Sequence, residues 1–179
     1  PSSLFDGVNQ RLIIEILSAK VENPLLSTTG INRWGSATRF NLFFTLSYAV
    51  QDLDNLNYGN SILKIKNNKY ESSILRKFYL NKSILNFKSD TITNNLIYYR
   101  TAGGRYWKVI EDKPSGTGTV SEKAAYFRDV ESSQAVALIS SSTFWWYYSC
   151  HFDMFNLKDY MIFGFRFSNA SSVLFAKLK

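Results

Sequence analysis

Two β-prone runs, Leu96 to Arg100 and Arg105 to Ile110, stand on either side of Thr101, Ala102, Gly103 and Gly104. Paired glycines supply the positive φ that a tight turn demands, so this stretch predicts an antiparallel hairpin. A hairpin fixes one strand pairing locally and leaves edges that other strands can join, which constrains the fold more than any other feature of the chain. Arg100 and Arg105 sit at its shoulders.

The remaining pattern is mixed. Residues 11–18 (RLIIEILS) are apolar and β-branched enough to predict a buried strand. A polar loop, STTGINRWGS, follows Pro24. Over residues 38–50 the positions of Leu42, Phe43, Leu46, Ala49 and Val50 predict a helix. Asp52 to Asn60 is a polar break. Ile74, Leu75, Phe78 and Tyr79 then form the stripe of a short helix over 71–80, with Arg76 and Lys77 on its other side.

Beyond the hairpin, Asp112 to Ser121 predicts a surface loop of small residues, and a strand is expected around Ala124 to Phe127. A helix should start at Ser132, break at the serines 140–142 and resume through Phe144, Trp145, Trp146, Tyr147 and Tyr148. A helical turn capped by Asn156 and a strand at Met161 to Phe167 complete the expectation. There is no internal repeat. The fold class expected is α+β: one domain of target-recognition type, with a small twisted antiparallel sheet or hairpins and several helices.

A length of 179 residues suits one domain with its own core. The lone cysteine, Cys150, and lone histidine, His151, rule out a disulfide framework and any four-ligand Cys/His zinc cage, and point to a reducing compartment. No run of 18 apolar residues and no secretion signal is present, so no membrane partner is expected and the expected location is cytoplasmic. Pro1 stands where an initiator methionine would be, which suggests a piece of a longer protein.

The charge is unevenly spread. Residues 61–113 carry eleven basic groups against four acidic ones, a surplus of seven that equals the whole chain's +7. Such a surplus is either a solvated face or the footprint of a polyanion binder, which gains affinity by releasing counterions from phosphates.

Catalytic patterns are absent. Cys150, His151 and Asp153 lie too close in sequence to point at one another in a helix or strand. The Gly116-Thr117-Gly118-Thr119 run lacks phosphate-loop spacing and is read as a surface loop. None of the three prolines belongs to an Asn-Pro-Pro-aromatic motif. The aromatic stretch 144–148 is able to stack bases, but so dense a cluster is read as core. No metal site, cofactor site or catalytic residue is assigned in this chain.

Six segments occur in a suggestive order. Leu4-Phe5-Asp6-Gly7-Val8-Asn9-Gln10-Arg11-Leu12 is followed by Asn32-Arg33-Trp34, then by Tyr98-Tyr99-Arg100 with Gly104-Arg105-Tyr106-Trp107. Ser121-Glu122-Lys123-Ala124-Ala125-Tyr126-Phe127 comes next, then Leu138-Ile139-Ser140-Ser141-Ser142 running into Phe144-Trp145-Trp146-Tyr147-Tyr148, and last Phe155-Asn156-Leu157-Lys158-Asp159. Over residues 4–167 this succession resembles the C-terminal part of adenine-specific N6 DNA methyltransferases of the type IIG restriction-modification group. It departs from that group at Gly35-Ser36-Ala37-Thr38, where charged residues are usual, and at Ile139, where asparagine is usual.

The resemblance implies that residues 1–24 are the last strand segment of a catalytic domain and that 25–179 form a DNA target recognition domain. The catalytic motif and the S-adenosylmethionine site would lie upstream, in the same parent chain. Such an enzyme extrudes the target adenine, so the flanking double-stranded DNA must be gripped. Basic side chains would neutralise phosphates and a few loop residues would read base edges. The expected DNA-binding residues are Arg100 and Arg105 first, then Lys108, Lys113, Ser115, Thr117 and Lys123. The rivals are a specificity module with no attached catalytic domain and a protein-interaction domain docking through residues 144–148.

Overall fold

A computed structural model describes residues 26–32, 34–51, 62–65, 68–101, 110–114, 116, 118–154 and 156–167. The expected strand over 11–18, the segment 1–24 and the hairpin turn itself lie outside the described residues. The fold is α+β, and it divides between Ile74 and Leu75 into two compact units.

In the first unit, β1 (Leu26–Thr29) pairs antiparallel with β2 (Tyr48–Gln51). A 3-10 turn (Ser36–Asn41) and the one-turn helix α1 (Leu42–Thr45) lie between them. The helix expected over 38–50 is therefore corrected. It ends before Leu46, whose backbone is extended, and the following residues join β1 instead. Phe40, Phe43 and Phe44 are all exposed, so the apolar residues here do not form one buried helical stripe, and strand pairing overrides the local pattern. Gln51 is buried but satisfied: its Nε2 donates to Oγ1 of Thr28, which donates to the Leu63 carbonyl, both at 2.7 Å.

The second unit is built on a four-stranded antiparallel sheet in the order β4 (Lys88–Ser89), β7 (Glu122–Phe127), β5 (Leu96–Arg100), β6 (Ile110–Glu111). The strands either side of the paired glycines do pair antiparallel, Tyr99 with Ile110. Burial alternates along β5, with Ile97 and Tyr99 facing the core, as a sheet covered on one face requires. A short second sheet joins β3 (Lys82–Ser83) to β8 (Arg166–Phe167).

Helices cover the core side. α2 spans Asn68–Tyr79, starting earlier than its apolar stripe does, and it is its last part, from Leu75, that belongs to this unit and sends Phe78 into the core. α3 (Ser132–Ile139) buries Ala135, Leu138 and Ile139, and α4 (Ser142–His151) buries Phe144, Tyr147 and Tyr148, each at helical spacing. The serine break between them is a cap: Ser141 Oγ accepts from the Phe144 amide at 3.1 Å and donates to the Leu138 carbonyl at 2.7 Å. Phe165 stands among Phe78, Phe144 and Tyr147, with ring centroids 5.2 to 5.4 Å away.

The expectation for the C-terminal stretch is also corrected. α5 (Asp159–Phe163) is a helix where a strand was expected, and only Arg166 and Phe167 are extended. Asn156 lies before this helix, and Lys158 occupies its N-cap position. A continuous apolar run of this length does not distinguish a buried strand from a buried helical turn.

Candidate nucleic-acid interface

Of the seven residues expected to touch DNA, Arg105, Lys108, Ser115 and Thr117 lie outside the described residues. The other three are not brought together as one cluster. Lys123 is opposite Tyr99 and Arg100 opposite Glu122 in the β5–β7 register. Adjacent strand residues face opposite ways, so Arg100 and Lys123 belong to opposite faces of the sheet. Nε of Arg100 is shielded from solvent and has no hydrogen-bond partner among the described residues. Lys113 is exposed, two residues past β6.

Lys123 is already engaged. Its Nζ lies 3.0 and 3.1 Å from the two carboxylate oxygens of Asp159, in the first turn of α5. The Tyr99 hydroxyl donates to the same carboxylate, at 3.0 Å from Oδ1. Burial, the charge of Asp159 and this hydrogen bond together push the Tyr99 hydroxyl well above the ordinary tyrosine range. The sequence offered no sign of this link.

A different group of cations lies within seven residues of chain at the end of α2. Arg76 and Lys77 occupy the last turn of α2 and Lys82 opens β3, all three exposed. No carboxylate among the described residues pairs with any of them. The β3–β8 pairing sets Arg166 opposite Ser83, and its Nη1 donates to the main-chain oxygens of Tyr79 at 3.3 Å and Asn81 at 2.8 Å. Its guanidinium also lies over the Tyr79 ring, 5.3 Å from the centroid. The sequence signal for this cluster was the charge surplus of 61–113; the part played by Arg166, some 85 residues later, was not visible.

Cys150, His151 and Asp153 serve the fold. Cys150 is buried. Nδ1 of His151 lies 2.8 Å from the Tyr147 carbonyl, which only accepts, so Nδ1 carries a proton, and Nε2 is hydrogen-bonded to the Tyr79 hydroxyl at 2.6 Å. Oδ1 of Asp153 accepts from the Asn156 amide at 3.4 Å. Among the described residues no three His, Cys, Asp or Glu side chains are grouped to hold a metal, and no helix is long and apolar enough to cross a membrane. Of the aromatic stretch, Phe144, Tyr147 and Tyr148 are core, and Trp145 is 43% exposed.

Compared with protein-family models, with curated proteins and with solved structures, the chain matches none.

Proposed function

We propose that this chain recognises double-stranded DNA as the target recognition part of an adenine-N6 methyltransferase of the restriction-modification type. The observation that carries the reading is the concentration of the whole net charge in residues 61–113. Exposed lysines and arginines without counter-charges are suited to holding phosphates, and a recognition domain needs that grip while the adjacent catalytic domain unstacks the base. In this reading the catalytic domain and its S-adenosylmethionine lie in the same parent chain, and Arg100, Arg105, Lys108, Lys113, Ser115, Thr117 and Lys123 remain the proposed contacts along the hairpin and the following loop.

The experiment is binding of the 179-residue chain to a random-sequence duplex by fluorescence anisotropy. Between about 50 and about 200 mM salt, a domain neutralising six or more phosphates loses roughly a thousandfold or more in affinity. No binding at the lower salt overturns the reading. An Asn-Pro-Pro-aromatic motif upstream in the same reading frame separates an attached methyltransferase from a free specificity module. Docking of another protein through residues 144–148 has little support, since three of these five side chains are core.

A further inference from the structure

We propose that Arg76, Lys77 and Lys82, at the C-terminal end of α2, form a surface that grips the phosphate backbone of duplex DNA. The inference rests on the DNA-recognition reading and gives it a specific face of the protein.

The helix directs these charges outward because its apolar side is committed elsewhere. Leu75 and Phe78 are buried one turn apart, leaving Ser73, Arg76, Lys77 and Leu80 exposed. The stretch Leu75–Ser83 contains no acidic residue. Three exposed cations close in the chain, none with a carboxylate partner among the described residues, make a positive potential that attracts a polyanion.

A helix C-terminus is ordinarily a poor place for a phosphate, because its unpaired carbonyls carry partial negative charge. Here that charge is countered. Arg166 donates to the oxygens of Tyr79 and Asn81, and Nδ2 of Asn81 donates to the Lys77 carbonyl at 2.8 Å. The amide of Asn81 bonds the Phe78 carbonyl at 3.1 Å. The helix end is thereby closed by its own side chains and by a fourth cation. Arg76, Lys77 and Lys82 are left as charges on an anchored backbone. Contacts of this kind fix the register of a protein on DNA without reading its sequence, a task distinct from that proposed for the hairpin and its following loop.

The test compares the wild-type chain with R76Q/K77Q/K82Q, following duplex affinity against salt. Each phosphate contact contributes about 0.9 to the slope of log affinity against log salt, so the triple variant should flatten the slope by about 2 to 3. R76K/K77R/K82R should restore it, and K158Q, an exposed cation outside the cluster, should leave it unchanged. The three single glutamine variants carry the test independently should the triple variant lose its fold. A wild-type slope in the glutamine variants overturns this surface while leaving DNA recognition standing. Failure of the wild-type chain to bind duplex overturns both. Displacement of the duplex by poly-glutamate at equal charge assigns the face to acidic polypeptides and overturns the proposal.

Discussion

The hydroxyl of Tyr99 donates to Oδ1 of Asp159 across 3.0 Å, joining a buried position of β5 to the first turn of α5. Lys123 approaches the same carboxylate from the exposed side, with both partners of that ion pair nearly half exposed. The two contacts therefore differ in energy. Asp159→Ala leaves the buried Tyr99 hydroxyl without its acceptor and should cost about 1 to 3 kcal/mol. Lys123→Gln breaks a solvated ion pair and should cost about 0 to 1 kcal/mol. Denaturant titration of both variants checks the difference, and equal losses would contradict it.

High pH should expose the same link. Burial raises both Tyr99 and Tyr147 above the ordinary tyrosine value, helped at Tyr99 by Asp159 and at Tyr147 by Tyr79, with Arg166 opposing at Tyr147. The folded state thus holds these protons more tightly than the unfolded chain. Their contribution is whole below about pH 10 and is lost as pH climbs from there towards the folded values. Stability measured by urea titration should fall across that window, and Tyr99→Phe should make the fall shallower. A tyrosinate absorbance titration in which every tyrosine ionises near its ordinary value would refute the assignment.

Gly164 is required for space. Its φ is ordinary, but a Cβ there would stand 2.8 Å from both the Tyr147 hydroxyl oxygen and the Tyr160 carbonyl. The carbonyl belongs to the backbone of α5 and yields little. Gly164→Ala should destabilise by about 1 to 3 kcal/mol, seen as a lower denaturation midpoint. An unchanged midpoint would mean that α5 shifts freely.

Arg166→Ala should cost about 1 to 3 kcal/mol, since it removes the charged donor to two main-chain oxygens at the end of α2. Arg166→Lys should recover only part of this, because its shorter side chain does not carry a nitrogen to where Nη1 meets both oxygens and an ammonium does not stack on the Tyr79 ring as a guanidinium does. Thermal melts of the two variants separate these outcomes; full recovery by lysine would show that charge alone matters.

The parts of the fold governed by local rules were legible. The antiparallel pairing of β5 with a later strand was legible, though its register, Tyr99 with Ile110, is wider than a tight turn at the glycines gives and only Ile110 of the expected second run lies in β6; the serine break between α3 and α4 falls where the apolar spacing lapses. The errors arose where the local pattern is ambiguous. Tyr48–Gln51 continues a helical spacing yet pairs with Leu26–Thr29, a partner about twenty residues away. Met161, Ile162 and Phe163 are buried side by side, so no polar alternation separated helix from strand. For the candidate interface, the sequence concentrated the charge but did not arrange it. It did not show that Lys123 is held by Asp159, that Arg100 faces away from Lys123, or that Arg166 closes the end of α2.

The pairing of β3 with β8 has one more consequence. The early strand at Lys82–Ser83 and the late strand at Arg166–Phe167 lie side by side, so the polypeptide between them departs and returns at a single doorway. Segments with adjoining ends are tolerated as insertions and permutations. The segment Ile84–Phe165 is nevertheless tied to the helix before it, since Tyr147 and Phe165 pack on Phe78 and His151 bonds Tyr79, so a cut or insertion at this junction has to keep those contacts.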